Sequence, residues 1–364
     1  MSQPLRKDSP LKTQVAIVGG GLAGLALARR LDHSGVDFQL FEARSRFGGR
    51  IAALETPTGA VDLGPSWFWP GQPRMAALLT SLGLTDFAQY ATGDQFYEDE
   101  TGRVHRGMGF ASMEGSLRIA GGVVRLVDAL VASLPADRLH RSARVEAIDQ
   151  QSGIHLANGK MCAAQQVVLA LPPRIAAGLT LSPALTPDQK RSLEAIPTWM
   201  AGHAKFVAVY DAPFWRHAGL SGDATSRRGP MAEVHDASGP NGTPAALFGF
   251  LGLPPQNRKG HEQEVTTAAL EQLSRIFGAQ AMTPTEVALQ DWAFEPETAT
   301  KHDLLLPSRH PDYGLPATLS GLWGGRLHFA STEAAPEMGG YMEGALAVAE
   351  RVSRDLGKLS DPLP

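Results

Sequence analysis

The stretch TQVAIVGGGLAGLALARRLDHSGVDFQLFEAR, residues 13–44, decides how this chain is built. Val15 to Val18 form a short apolar run of the kind that a parallel sheet buries on both faces. A glycine turn follows, then a helix over about Leu22 to Leu31 and a second strand from Phe38 to Phe41. Within this βαβ unit Gly19, Gly21 and Gly24 have the G-x-G-x-x-G spacing of a dinucleotide site. The first glycine permits the tight turn, the second lets a pyrophosphate approach the backbone, and the third lets helix and strand pack closely. Phosphates then rest on the helix N-terminus, where free N–H groups and the helix dipole favour anions. Glycine spacing alone is also met in ordinary turns; the context adds Glu42, 18 residues beyond Gly24 at the end of the second strand. An acid there binds ribose hydroxyls, and an acid rather than a base points to an unphosphorylated adenosine ribose, hence FAD or NAD.

The continuation FEARSRFGGRIAALETPTGAVDLGPSWFWPGQPR, residues 41–74, separates these two. After Glu42, Ala43 and Arg44 it places Arg46, Gly48, Gly49 and Arg50 as R-x-G-G-R, two cations beside close-packed backbone that suit the pyrophosphate and flavin end of a long dinucleotide. In this the chain resembles the flavin amine oxidase family, which includes monoamine and polyamine oxidases. VDLGPSWFWPGQPR (61–74) is similar to the family segment that passes the flavin ring, through Gly64, Pro65, Ser66 and Trp67. RVEAID (144–149) resembles the strand that meets the adenine, at Val145; VVLALPP (167–173) matches the family strand ending in two prolines; GHAKFVAVYDAPFWR (202–216) resembles the substrate-domain strand that carries a lysine. LHFASTEAAPEMGGYMEGALAVAERV (327–352) resembles the closing flavin-binding signature. The resemblance implies that Glu333 holds the ribityl chain, that Gly340 and Tyr341 lie beside the isoalloxazine, and that Met342 offers its N–H to the pyrimidine edge at the start of a helix. Gly339 and Gly340 are read as giving the flat ring room.

The implied fold is α/β, a Rossmann-like FAD-binding domain of the GR2 flavoprotein type interleaved with a smaller α+β substrate domain. The cofactor domain is expected at 1–80, 112–194 and 295–364, and the substrate domain at 81–111 and 195–294. In the cofactor domain a helix is read near 122–134 and a hairpin turning at Asn158-Gly159, and in the substrate domain strands at 203–211 and 245–252 and loops around a hairpin over 221–244. HEQEVTTAALEQLSRIFG (261–278) reads as an amphipathic helix with Val265, Leu270, Leu273 and Phe277 inward. Only about two dozen residues separate Tyr97 from Gly121, where monoamine oxidase carries a long helical portion. A reduced helical lid and a more open or partner-covered site are expected.

Composition sets outer limits. A chain of 364 residues, 43% hydrophobic and 19% charged, has length for two domains, and a net charge of −4 with no basic block gives no reason to expect nucleic acid. No run of 18 apolar residues marks a membrane span, and the glycine spacing argues against reading MSQPLRK and the apolar residues after it as a signal peptide. The single cysteine, Cys162, excludes an internal disulfide framework and a cysteine-rich metal cluster, which fits a reducing, cytoplasmic setting.

The resemblance assigns the chemistry to FAD and little of it to acid–base side chains. It implies a hydride equivalent passing from the carbon beside an amine nitrogen of a small or medium amine or amino acid to flavin N5, and oxygen reoxidising the flavin to give hydrogen peroxide. Lys205 matches the lysine that holds a water at N5, and Tyr341 matches one of the family's two aromatic walls. DWAFEPETATKHDLLLP (291–307) covers the other wall and the cysteine that bonds flavin covalently in monoamine oxidase, yet it contains neither tyrosine nor cysteine. FAD is therefore expected to be non-covalent, with His302 as a replacement ring or base and Trp67, Phe248 and Phe250 as apolar walls. A flavin NAD(P)H oxidase or desaturase-like dehydrogenase, and a non-catalytic FAD-stabilised protein that binds a partner, stand as alternatives. The sequence names neither the substrate nor the oligomeric state.

Overall fold

The computed structural model describes residues 11–357; MSQPLRK and the end of the expected cofactor domain after 357 lie outside them. Two compact units emerge, one from residues 11–49, 130–197 and 312–357, the other from 50–129 and 198–311. The expected domains place 50–80, 112–129 and 295–311 with the cofactor domain and 195–197 with the substrate domain, whereas the first three segments fall in the second unit and 195–197 in the first.

The first unit is built on an eight-stranded sheet. Leu11–Val18 lies parallel between Met161–Leu169 and Phe38–Phe41, so VAIV is covered by strands on both edges and by other elements on both faces, as its unbroken apolar character requires. Met161–Leu169 is long enough for two partners on its far edge: Gly153–Leu156 pairs antiparallel with its start, through a turn at Gly159 with φ 79°, and Leu327–Phe329 pairs parallel with its end. The helix Leu22–His33 buries Leu25, Leu27, Ala28 and Leu31 almost completely and lies against the C-terminal helix Met342–Gly357. Such all-round burial explains why this helix is rich in leucine and alanine instead of being two-faced. Cys162 is buried in the Met161–Leu169 strand, and burial pushes its thiol up to about 12, which makes it an inert core residue.

The second unit is built on a seven-stranded sheet in the order Glu286–Asp291, Ala204–Tyr210, Ala245–Leu251, Met231–Asp236, Leu220–Ser226, Asp94–Glu98, Val104–Arg106. Alternation along Ala204–Tyr210 sends Ala204, Phe206, Ala208 and Tyr210 into a core covered by the helix Glu262–Phe277, while Val207 and Val209 join Val61, Ala246 and Phe248 on the opposite face. On that helix Val265, Ala269, Leu273 and Ile276 are buried and Leu270 sits at the stripe's edge, half-exposed. Gln272 is also inside, because its amide exchanges two hydrogen bonds with the backbone of Met231 at 2.9 and 2.8 Å. Residues 221–244, expected as loops around a hairpin, contain that hairpin: Leu220–Ser226 and Met231–Asp236 pair antiparallel as inner strands of this sheet, with turns and loop at 227–230 and 237–244. Between the helices Pro73–Leu82 and Val124–Ala132 the chain forms only short strands and turns. No helix among the described residues is long and apolar enough to cross a membrane.

Candidate functional site

The glycine turn in the first unit is dictated atom by atom. Gly19 has φ 109°, and a Cβ there would meet the carbonyl oxygen of Ala170 at 2.5 Å. A Cβ at Gly24 would overlap the carbonyl of Gly19. Gly21 is different: it has extended backbone, φ −75°, and a Cβ on it would find no protein atom nearer than 3.9 Å. Neither strain nor packing in the protein demands glycine there, so the open space in front of Gly21, at an N-terminus with no side-chain cap, fits a ligand that approaches the backbone closely. Gly49, half-buried with φ 58°, comes against Gly21 from the R-x-G-G-R loop. Arg46 of that loop donates to the carbonyls of Phe47 and Gly49 at 3.3 and 3.0 Å and so pins its own turn.

Glu42 is buried, and its carboxylate accepts from the Gly20 N–H at 2.8 Å and the Arg44 N–H at 2.9 Å. Each oxygen keeps a lone pair, so the group is held ready to accept from a ribose diol. Gly20, which the G-x-G-x-x-G pattern leaves unread, makes this possible: a Cβ on it would lie 3.0 Å from the Glu42 Cβ and 2.5 Å from the Phe47 ring. Ala43 and Arg44 follow, both half-buried, and Val145 is buried in the Val145–Asp149 strand of the same sheet.

The entry to Met342–Gly357 is set by close packing. Gly339 cannot carry a Cβ because Tyr313 Cβ would be 2.4 Å away and the Ala335 carbonyl 2.7 Å, so its role is to seat Tyr313 and not to make room for a ring. Gly340 has φ 85° and turns the chain into the helix. The Thr332 hydroxyl donates to the Tyr341 carbonyl at 2.7 Å, which the Ala345 N–H also reaches at 3.2 Å, fixing the first turn. Glu333 is fully buried, Met342 is buried, and Tyr341 is half-buried. These residues fit a flat anionic group in kind: a helix start whose backbone is held from outside, with a glycine beside it.

In the second unit Lys205 is 2% exposed. Its ammonium donates to the Ser66 hydroxyl at 2.7 Å and to the Gly64 carbonyl at 3.1 Å, and lies 3.8 Å from the centre of the Phe248 ring. Burial pushes it down to about 7, against the attraction of Asp62 and with the repulsion of Arg118. Gly64 must be glycine, since a Cβ would overlap the Arg50 carbonyl, and Pro65 carries the chain on to Ser66. Trp67 donates to Gln89 at 2.8 Å and packs on Phe248 and Phe250. His302 is exposed on the short helix Lys301–Leu304, which removes the burial and the contacts its proposed role needs.

Strand register shows what the sequence hid. Thr225, Glu233, Phe250, Lys205 and Gln290 are consecutive partners across five strands and so form one row on one face. A bulge between Met231 and Glu233 swings Glu233 outward, with its side chain 48% exposed. Behind it His235, buried and edge-on to Trp67, bonds Asp223 at 2.8 Å and Glu233 at 3.3 Å. Burial works against the imidazolium, but the two carboxylates outweigh it and raise His235 above its usual value, while the His235 bond lowers Glu233. The result is a carboxylate held in its charged form on the face that carries Lys205.

Residues 22–109 and 108–357 match the flavin containing amine oxidoreductase family. A probable flavin-containing monoamine oxidase A of Dictyostelium discoideum is 22% identical, with 94% of this chain and 97% of that protein covered. Amine oxidase B of Sus scrofa is 23% identical, over 95% of this chain and 86% of its own. Among solved structures, a putrescine oxidase bound to putrescine superposes with a TM-score of 0.78 at 21% identity, covering 95% of this chain and 99% of that one. Cyclohexylamine oxidase from Brevibacterium oxydans gives 0.79 at 20%, with the same two coverages.

Proposed function

The chain belongs to the flavin containing amine oxidoreductase family and is an FAD-dependent oxidoreductase of the amine oxidase type; from that premise we propose that it oxidises a small or medium amine, with oxygen as the final electron acceptor. Bound FAD supplies the electron sink, taking two electrons from the amine so that an imine forms and is hydrolysed, and passing them to oxygen as hydrogen peroxide. In the first unit Gly19, Gly21, Gly24 and Glu42 would hold its adenosine and phosphates with Ala43, Arg44, Gly49 and Val145, and Glu333, Gly340, Tyr341 and Met342 its flavin end; the resemblance assigns Arg50, Gly64, Pro65, Ser66 and Trp67 to the cofactor as well. Lys205 carries the reading. A lysine with no solvent, poised to be neutral near pH 7 and hydrogen-bonded to Ser66, is equipped to hold a water or move a proton at its Nζ. The decisive experiment is a screen for peroxide release against an amine panel and reduced nicotinamides, with the denatured protein spun through a filter. Peroxide with amines and FAD in the filtrate are expected; peroxide only with a nicotinamide, or flavin retained on the protein, overturns the reading of the donor or of non-covalent binding.

Glu233 narrows the amine. Two strand spacings of about 4.8 Å place it about 10 Å from Lys205 across the face, where it would accept from a second ammonium of a diamine. A hydrogen bond to a charged group contributes ~1.5–3 kcal/mol, so Glu233→Gln is expected to raise KM for diamines about 10-fold or more while leaving matched monoamines within about twofold. Equal effects on both, read from steady-state kinetics, remove the assignment.

A further inference from the structure

Among the described residues six serines are buried, and five of them use their hydroxyls inside the protein. Ser66 accepts from Lys205 at 2.7 Å, Ser116 donates to the Met113 carbonyl at 2.7 Å, Ser221 to that of Asp94 at 3.3 Å, Ser226 to the Glu98 carboxylate at 2.7 Å and Ser238 to the Ala246 carbonyl at 3.4 Å. Ser331 is the exception: it is 4% exposed, and its Oγ has no hydrogen-bond partner. A serine that precedes a helical turn ordinarily caps it with that oxygen, yet no N–H of the short helix Thr332–Ala334 donates to it. A buried hydroxyl left without a partner destabilises a fold. A partner that arrives from outside the protein explains why a serine stands there.

The place of Ser331 in the first unit says what that partner is. Val18 pairs with Leu169 and Leu169 with Phe329, so three parallel strands end in one row. The chain stays tied one step further, where the Ala170 N–H donates to the Val18 carbonyl and the Ala330 N–H to the Leu169 carbonyl, both at 2.8 Å. Gly20, Leu171 and Ser331 are the next residues beyond, at the carboxyl edge where an α/β sheet takes its ligand. To one side lies the open space before Gly21 at the start of Leu22–His33, which suits a phosphate. To the other, the chain runs from Ser331 to the fully buried Glu333, assigned above to the flavin end. A dinucleotide laid between those two ends carries its diphosphate past this edge. A diphosphate offers acceptors only, and a serine whose hydrogen has no acceptor is a donor. Thr332, next in the chain, is already engaged, since its hydroxyl donates to the Tyr341 carbonyl at 2.7 Å.

We propose that Ser331 is a cofactor-binding residue whose hydroxyl donates to the diphosphate of bound FAD. The proposal rests on the cofactor lying along this edge with its adenosine at Glu42.

The test is titration calorimetry of the apo protein with FAD and with ADP, together with urea unfolding of the apo protein, for wild type, Ser331→Ala and Glu42→Ala. Loss of a hydrogen bond to a charged group is expected to raise the Kd for FAD about 10-fold or more in Ser331→Ala, and the Kd for ADP, which has the diphosphate and no flavin, by the same factor. The urea midpoint of apo Ser331→Ala should equal or exceed that of the wild type, because no bond within the protein is lost. Weaker binding with undiminished apo stability is a combination that a residue serving only the fold does not give. Unchanged FAD affinity overturns the proposal. So does an ADP affinity that holds while that for FAD falls, since the hydroxyl then serves the flavin half, and so does a lowered apo midpoint, which reveals a partner inside the protein. Should Ser331→Ala fail to fold, Ser331→Cys takes its place, a side chain of similar size with a weak donor. Glu42→Ala separates the two readings: if it binds FAD like the wild type the cofactor is not at this edge, and if it binds weakly while Ser331→Ala does not, the role of Ser331 alone falls.

Discussion

Glu42→Ala is purified colourless, and its affinity for added FAD is lower than that of the wild type by two to four orders of magnitude. The expectation follows from what the carboxylate already does in the protein alone. It accepts from the N–H groups of Gly20 and Arg44, and both donors lose that partner on truncation. Stranding these donors costs ~1–3 kcal/mol each in the stability of the fold, with or without ligand, whereas the charge-assisted bonds to a ribose diol, which form only on binding, contribute ~1.5–3 kcal/mol each. Losing two such bonds, about 3–6 kcal/mol, is the stated range in affinity. Glu42→Gln should fall between: one amide oxygen still accepts, but the amide nitrogen meets a backbone N–H head-on. Titration calorimetry with FAD against apo wild type measures this directly, and apo unfolding curves for both proteins separate a lost ligand from a lost fold. If Glu42→Ala binds FAD as tightly as the wild type, the turn at 19–24 is not the dinucleotide site.

What could be read beforehand was whatever depends on neighbours in the chain. Gly19, Gly24 and Glu42 lie within one βαβ unit, so their spacing together with the strand and helix around them is legible in the chain, and the helix at 262–277 shows itself by period. The features that escaped depend on atoms brought together by folding. Gly339 is a glycine because of Tyr313, far off in sequence, so reading it as space for a ring followed from proximity to Tyr341 and missed the true neighbour. Glu233 and Lys205 share a face only through the pairing of three strands, and no periodicity within either strand reveals register between them. Asp62 and Arg118 stand on separate strands with nothing in either local sequence to announce a buried charge. His302 shows the converse: it is chosen because its segment, 291–307, lacks tyrosine and cysteine, and the fold leaves it exposed. Lys205, by contrast, does not reach out to water as most strand lysines do: it is buried between Ser66, Gly64 and Phe248.

Lys205→Met retains its fold and its yellow colour but turns over amine about 10²–10⁴ times more slowly, the span usual for loss of a positioned acid–base group. Methionine has nearly the length of the lysine stem, so packing against Phe248 is kept. The bonds to Ser66 and Gly64 are lost, but so is a charge that burial disfavours, and such exchanges are often close to neutral for stability. The pH dependence makes the test specific. Burial holds the ammonium at about 7 in the folded protein, against 10.5 for an ordinary lysine. A role that needs the neutral amine therefore gives activity that rises through about pH 7, and Lys205→Met should lack that limb. Stability carries the same signature with its sign fixed by proton counting. Below about pH 7 folded and unfolded chains both hold the proton and the fold bears the full penalty of a buried charge. Between about 7 and 10.5 only the unfolded chain holds it, so wild-type stability climbs with pH across that window, and above it the penalty is gone. The methionine variant should show no such climb from this residue and should be the more stable protein at the acidic end. A wild-type profile in both measurements, from a variant that still binds FAD, would show that the lysine takes no part in the reaction.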